Sequence, residues 1–350
     1  MATGAELAVV KLADLVDGLE ATCFALLASK YRGMSKRNEP FFKCQFRDRV
    51  TTLEAPIWAN DPLIEEAAHW VEGTAYRLRV RVSHHHQFGL QLALLGIRLA
   101  SDEADAADGY NFHELVESSK YSVEALVGKL DALIERYVTE PHLKQLVRAL
   151  LEEHKDLFRK MPAASNMHHA YTAGLLEHVW SMARISGFVS DHYAQYYSEL
   201  NPPLDRGVVV AAAILHDIGK IRELSYNPSG ASYTTDGWLI GHILMGRDMV
   251  REAARKIDGF PEPILRSLEH AILSHHGKRE FGAPILPQTL EALLVAYIDE
   301  LDAKINSAAR SLLTCTTEGE FTDKVYALDN RRLYRGVPTA PPPDDAADMP

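Results

Sequence analysis

The chain has 350 residues, 47% of them hydrophobic and 24% charged, which is the balance of a soluble globular protein and excludes a disordered one. That length is enough for two ordinary domains with cores of their own. The net charge of −11 speaks at first against nucleic acid, but it is unevenly spread: the first hundred residues carry 12 Lys and Arg against 11 Asp and Glu, so the negative excess lies in the rest.

Within Lys30 to Arg49 seven basic residues (Lys30, Arg32, Lys36, Arg37, Lys43, Arg47, Arg49) face two acids. Such a stretch is either a phosphate-binding face or a solvated surface, and charge alone does not separate the two. The N-terminus, MATGAELAVV, has no basic region followed by an apolar one, so no signal peptide is expected. The longest apolar run, Val208–Leu215, is about half of what a membrane span needs and is expected as a buried helix, with no membrane partner. Cys23, Cys44 and Cys315 are odd in number and lack CxxC spacing. They argue against a disulfide framework or zinc knuckle and fit a reducing cytoplasm.

Residues 1–19 read as a lead-in. From 20 to 100 the pattern is that of strands. Phe41–Arg47 alternates, with Phe42, Cys44 and Phe46 on one face and Phe41, Lys43, Gln45 and Arg47 on the other. Leu53–Trp58 continues the alternation, Tyr76–Val82 sets three arginines on one face, and Gly89–Leu99 is a further apolar-rich strand. Asp61–Trp70 reads as one helix, with Asp61 as N-cap and Pro62 at the first helical position. Five strands with a helix between the third and fourth predict an OB-like Greek-key barrel, a fold that often binds single strands of nucleic acid.

Ser101–Asp108 is acidic and small, and residues 101–112 are expected as a linker. Residues 113–160 read as a helical connection and 161–315 as an all-helical domain, so the chain combines a β-barrel with an α-domain. Helices are expected at about 113–138, 141–159, 171–188, 205–217, 240–256, 261–274 and 288–312. Residues 316–350 form an extension, rich in Pro, Ala and Asp and expected to be disordered from about 336.

The helical half holds an ordered series of histidines and aspartates: His168-His169, His178, His216-Asp217, His242, His275-His276 and Asp299. Any one of these histidines is more often a hydrogen-bonded core or surface residue than a ligand. His216-Asp217, however, ends a strongly apolar helix, where the pair is costly unless a metal or hydrogen-bond network satisfies it. Imidazole and carboxylate without thiolate suit divalent ions such as Mn, Fe, Co, Zn or Mg. Asp217 has two oxygens with which to bridge two ions about 3.5–4 Å apart. Lys220, one turn on, is placed to hold a phosphate oxygen. His113, His142, His154 and His192 read as surface residues, His270 as structural, and His84–His86 as a solvated loop between strands.

The stretches HHAYTAGLLEHVWS, AAILHDIGKIREL, SYTTDGWLIGHILMG, ILSHHGKREFGAPILPQTLEA and AYIDELDAKIN together resemble the YhaM-type 3′-5′ exoribonuclease family, over roughly residues 20–312. The resemblance implies an OB-fold followed by an HD domain. It also implies hydrolysis of single-stranded RNA, sometimes DNA, from the 3′ end with a divalent ion, typically manganese. By position it implies His178, His216, Asp217 and Asp299 as the basic metal ligands and His242, His275 and His276 as those of a two-metal site. It sets Lys220 near the scissile phosphate and His168 and His169 in substrate contact. Asp302, one helical turn past Asp299, is expected behind the ligands. The N-terminal half departs from the family's turns, where KRNEPFF and RDRVTT stand in place of glycine-bearing segments.

On the barrel, Phe41, Lys43, Arg47 and Trp58 are expected to contact the strand, while Phe42 and Phe46 fill the interior. Two other functions are consistent with the sequence: a phosphohydrolase of a small nucleotide with a regulatory barrel, and a single-strand-binding protein with a structural metal. A homo-oligomer is compatible with all three.

Overall fold

A computed structural model describes residues 8–35, 38–86, 88–163, 171–227, 230–315 and 319–336. His168, His169 and the tail from 337 lie outside them, as does the expectation of disorder there. The first half is a closed barrel of five strands: β1 (Glu20–Met34), β2 (Pro40–Arg47), β3 (Thr52–Ile57), β4 (Ala75–His85) and β5 (Gly89–Leu99), paired in the order β1-β2-β3-β5-β4. β4 returns to pair antiparallel with β1, and the β3–β5 contact, Glu54 opposite Gln91, is the parallel one. Closure leaves the barrel's sheet no free edge. Phe42, Cys44 and Phe46 point inward and pack with Leu78, Val80 and Leu92, as the alternation predicts.

The helix between β3 and β4 is shorter than expected. Only α1 (Ile64–Ala67) is helical. The Asp61 carboxylate accepts from the Leu63 amide (2.9 Å), so it caps the turn leading into the helix. Lys30 fixes the other end: its ammonium donates to the carbonyls of Ala67, Ala68 and Trp70 at 2.7–2.9 Å, closing the orphan acceptors of a helix C-terminus. β4 runs on through His84 and His85, so the expected histidine loop begins only at His86.

Residues 101–112, read as a linker, are folded onto the barrel. They form α2 (Asp102–Asp105), a 3₁₀ turn (Ala106–Asp108) and the start of α3 (Phe112–Leu115). Asp105 is fully buried and accepts from Arg98 of β5 (2.8 Å), Arg77 of β4 (2.7 Å) and the Ser101 amide (3.0 Å). Leu115 and Val116 then pack against Phe24, Leu26 and Ala75, forming a satellite core that joins barrel to helices.

The helical half comprises α4 (Val123–Tyr137), α5 (Pro141–Glu153), α6 (Lys155–Phe158), α7 (Gly174–Tyr196), α8 (Arg206–Leu215), α9 (Lys220–Glu223), α10 (Thr235–Leu239), α11 (His242–Ala254), α12 (Glu262–Ser274) and α13 (Leu290–Thr314). The helix expected at 113–138 is two, because Ser122 breaks the run and caps α4 by accepting from Ala125 N (3.1 Å). The region is not wholly helical either: β6 (Leu224–Asn227) and β7 (Gly230–Tyr233) form a small hairpin. α8 is the predicted apolar run, buried from Val208 to Leu215 and surrounded by α4, α5, α7, α12 and α13. Asp205 caps it by accepting from Val208 N (3.0 Å). Among the described residues no helix is long and apolar enough to cross a membrane.

Asp105 makes the barrel acid-sensitive. Arg98 and Arg77 outweigh its burial and hold its carboxyl well below the usual range. Its stabilisation is therefore complete above the unfolded value near pH 4 and is lost as pH falls below it. Asp105→Asn should cost about 2 kcal/mol at neutral pH and flatten the acid limb of stability in urea melts taken from pH 7 to 3. An unchanged acid limb would remove Asp105 from its cause.

Candidate active site

Six segments converge where α8 ends. α7 brings His178, the turn after α8 brings His216 and Asp217, α9 brings Lys220, the start of α11 brings His242, the end of α12 brings His275 and His276, and α13 brings Asp299 and Asp302. The close approach of α11 depends on Gly219. A Cβ there would lie 2.0 Å from the His242 carbonyl oxygen and 2.6 Å from Gly246 N, so no other residue lets α11 rest on the His-Asp turn.

Every histidine of the cluster is tethered through Nδ1. His178 bonds Asp302 (2.8 Å), His216 the Ala213 carbonyl (2.9 Å), His242 Glu223 (2.9 Å), His275 the Ile272 carbonyl (2.7 Å) and His276 the Phe281 carbonyl (2.7 Å). All five partners are acceptors, so Nδ1 carries a hydrogen in each ring and Nε2 is the nitrogen left to face the site. The Nε2 atoms face one another and the carboxylates. His178 Nε2 lies 3.2 Å from His216 Nε2 and 3.4 Å from Asp299 Oδ1. His216 Nε2 lies 3.3 Å from Asp217 Oδ2. His242 and His275 point Nε2 at Asp217 Oδ1 from 3.5 and 3.8 Å.

Two lone pairs 3.2 Å apart repel unless a proton or cation stands between them. Burial alone would push the His178 imidazole down, but Asp299, Asp302 and Asp217 together raise it to about 9. Burial pushes His275 well below its usual value and lowers His276. Asp217 is buried too, yet Lys220, at 2.6 Å, and the neighbouring histidines hold it far below the carboxylate range. Asp217 Oδ1, His242 Nε2 and His275 Nε2 are buried and make no hydrogen bond. Three acceptors of this kind aimed at one point are costly as they stand and fit a divalent cation. Three donor sets are close enough to hold one: His178, His216 and Asp217; His216, His275 and Asp299; and His242, His275 and His276.

The structure thus brings together His178, His216, Asp217, Lys220, His242, His275, His276 and Asp299. Asp302 lies behind His178, where Ser181 also binds it. Sequence reasoning missed Glu223, which accepts from both Nδ1 and the backbone amide of His242 (2.9 Å each). Its only sequence signal is one acid six residues past Asp217. His270 is structural, accepting from Gln288 N (2.8 Å).

The barrel residues divide. Phe41 and Trp58 lie together, ring centroids 5.3 Å apart, and Trp58 is half exposed. Gly33, opposite Phe41, makes the ring's position possible, since a Cβ there would come within 2.7 Å of it. Lys43 is paired with Glu54 (2.6 Å). Arg47 is half-buried, with Glu117 and Tyr226 of the helical half as its electrostatic neighbours. It therefore does not share the open face with Phe41.

Residues 175–304 match the HD domain family. A relative from Shouchella clausii (strain KSM-K16), 3′-5′ exoribonuclease YhaM, is 34% identical over 325 residues, covering 93% of this chain and 94% of that protein. Among solved structures, a domain of replication protein A from Methanococcus maripaludis is 18% identical over 27% of this chain and 96% of its own, with a TM-score of 0.22. An asparaginyl-tRNA synthetase from Entamoeba histolytica is 12% identical over 44% of this chain and 35% of its own, with a TM-score of 0.23. At such scores the barrel is defined by its own strand order and not by these likenesses. With both halves spanned by its relative and the HD model matched across the histidine cluster, the chain belongs to the YhaM-type 3′-5′ exoribonuclease family, an enzyme class of hydrolases.

Proposed function

We propose that this chain is a cytoplasmic, metal-dependent exonuclease that removes nucleoside 5′-monophosphates one at a time from the 3′ end of single-stranded RNA, with single-stranded DNA as a second substrate. The observation that carries the metal dependence is the convergence of Asp217 Oδ1, His242 Nε2 and His275 Nε2, buried and without hydrogen bonds. The ligands are then His178, His216, Asp217, His242, His275, His276 and Asp299, enough for two ions, with manganese the first candidate for a nitrogen and oxygen set. When bound, such ions make hydroxide available near neutral pH and offset charge on the phosphoryl oxygens.

The protein's own groups orient and neutralise. Asp302, Glu223 and the carbonyls of Ala213, Ile272 and Phe281 hold the rings in one tautomer. Lys220, buried beside Asp217 and kept charged by it, is positioned to take a non-bridging phosphate oxygen. In the reaction a water oxygen bonds to phosphorus, the P–O3′ bond breaks, and O3′ leaves with a proton. The terminal nucleotide departs with its 5′-phosphate. Residues 20–100 hold the strand, with Phe41 and Trp58 as a stacking platform, and residues 161–315 cut it.

Removing the acceptor behind a ligand should loosen the metal. Glu223→Ala is expected to weaken Mn²⁺ binding by about 10–100-fold in calorimetric titration, with Glu223→Gln intermediate; wild-type affinity in both would mean that Glu223 does not position His242. A 5′-labelled single-stranded RNA with Mn²⁺ should shorten stepwise from its 3′ end. The ladder should vanish in the His216→Ala/Asp217→Ala double variant. An intact RNA across several divalent ions would instead favour a small-nucleotide phosphohydrolase. Phe41→Ala with Trp58→Ala should weaken long strands by about 1–3 kcal/mol per lost stack and spare dinucleotides. Equal losses on both would move the strand elsewhere.

A further inference from the structure

Beside the ligands lies a cavity of about 340 Å³, at the small end of the roughly 300–1,000 Å³ range of small-ligand pockets. Asp217, Lys220 and Asp299 line one side. Ser307, about 12 Å along α13 from Asp299, and Ala327, which belongs to the C-terminal extension, line it too. That extension is an ordered hairpin over 319–336, bridged at Phe321–Tyr334 and Val325–Arg331. Its turn, Tyr326–Leu328, rests on α13, and Leu328 is buried there.

A third wall is Phe281. Its ring is half exposed and lines the cavity, the Lys278 ammonium sits 5.1 Å from its centroid, and its carbonyl is the tether of His276. Base stacking needs an open aromatic face, and phosphate needs a cation nearby. Here the two stand next to each other, one residue contact away from the candidate metal ligands. Lys304 lines the same cavity.

We propose that Phe281 and the hairpin at Ala327 form the subsite for the 3′-terminal nucleotide, with Phe281 as its stacking face and the hairpin as an end wall. This rests on the exonuclease reading and adds the reason that only an end is cut: the wall leaves room beyond the reacting phosphate for one nucleotide and obstructs a continuing chain. The extension, which the sequence offers as a mere tail, is then part of the substrate pocket.

Ala327→Trp fills the cavity, and Phe281→Ala removes the stack without touching the hairpin. Full-length variants are compared on RNA and on methyl p-nitrophenyl phosphate, whose transferred group is too small to reach the wall, and AMP is titrated as an inhibitor of the second reaction. Each variant is expected to lose about tenfold more on RNA than on the small diester and to weaken AMP inhibition by about tenfold, the weight of one stack. Bound Mn²⁺ per chain should stay at the wild-type value. Equal losses on both substrates with wild-type AMP inhibition would overturn the subsite while leaving the exonuclease reading intact. Wild-type enzyme that ignores RNA, yet whose AMP inhibition responds to both variants, would support the subsite and sink the RNA reading. Should Ala327→Trp fail to fold, Phe281→Ala alone decides.

Discussion

The hydrogen bond from imidazole Nδ1 to a fixed acceptor is the interaction on which the site depends. Five rings are tethered this way, three to backbone carbonyls and two to carboxylates. An untethered imidazole would flip or change tautomer, and the inward lone pairs would no longer meet at one place. The carbonyl tethers of His216 and His275 come from three residues earlier in the chain, at helix ends whose carbonyls have no further helical partner. Placing a ligand just past a helix terminus therefore satisfies the helix and orients the ligand with the same bond.

The cluster is held at the end of α8 because that helix is buried along its whole length from Val208. A helix with no exposed face has no freedom to rotate without unpacking α4, α5, α7, α12 and α13 from around it. The same burial makes charge expensive, which is why Lys220 and Asp217 are found as a 2.6 Å pair and why His178 keeps three carboxylates around it. Gly219 completes the arrangement from the other direction, by admitting the backbone of α11.

Much of this was legible in the sequence. Alternation in Phe41–Arg47 identified which phenylalanines fill the barrel, because a strand's faces alternate whatever surrounds it. The apolar run Val208–Leu215 followed by His-Asp marked the site, because few other arrangements tolerate that pair there. What escaped notice depended on contacts distant in the chain. Lys30, counted in a basic stretch that charge alone left open between phosphate face and solvated surface, is a cap for the helix at Ile64–Ala67. Glu223 matters through the histidine it faces, and Phe281 through the His276 ring its carbonyl holds and the cavity its own ring lines. The β6–β7 hairpin was hidden by the shortness of its strands, although the sequence Asn-Pro-Ser-Gly at their junction is a turn signal. Arg47 alternates with Phe41 as predicted, but the helical half covers its end of β2.

The pairing of the barrel's cations has a further effect. Lys30, Lys43, Arg77, Arg81 and Arg98 are already engaged by carbonyls or carboxylates of the same domain. A protein that neutralises phosphates with open cations releases condensed counter-ions from the nucleic acid, and its affinity falls steeply with added salt. Each cation paired within the domain releases few, which leaves that role to exposed cations such as Arg32 and Arg79. On the proposed reading, a strand held by this barrel would lean more on aromatic stacking and lose affinity with added salt less steeply than the count of basic residues alone would give.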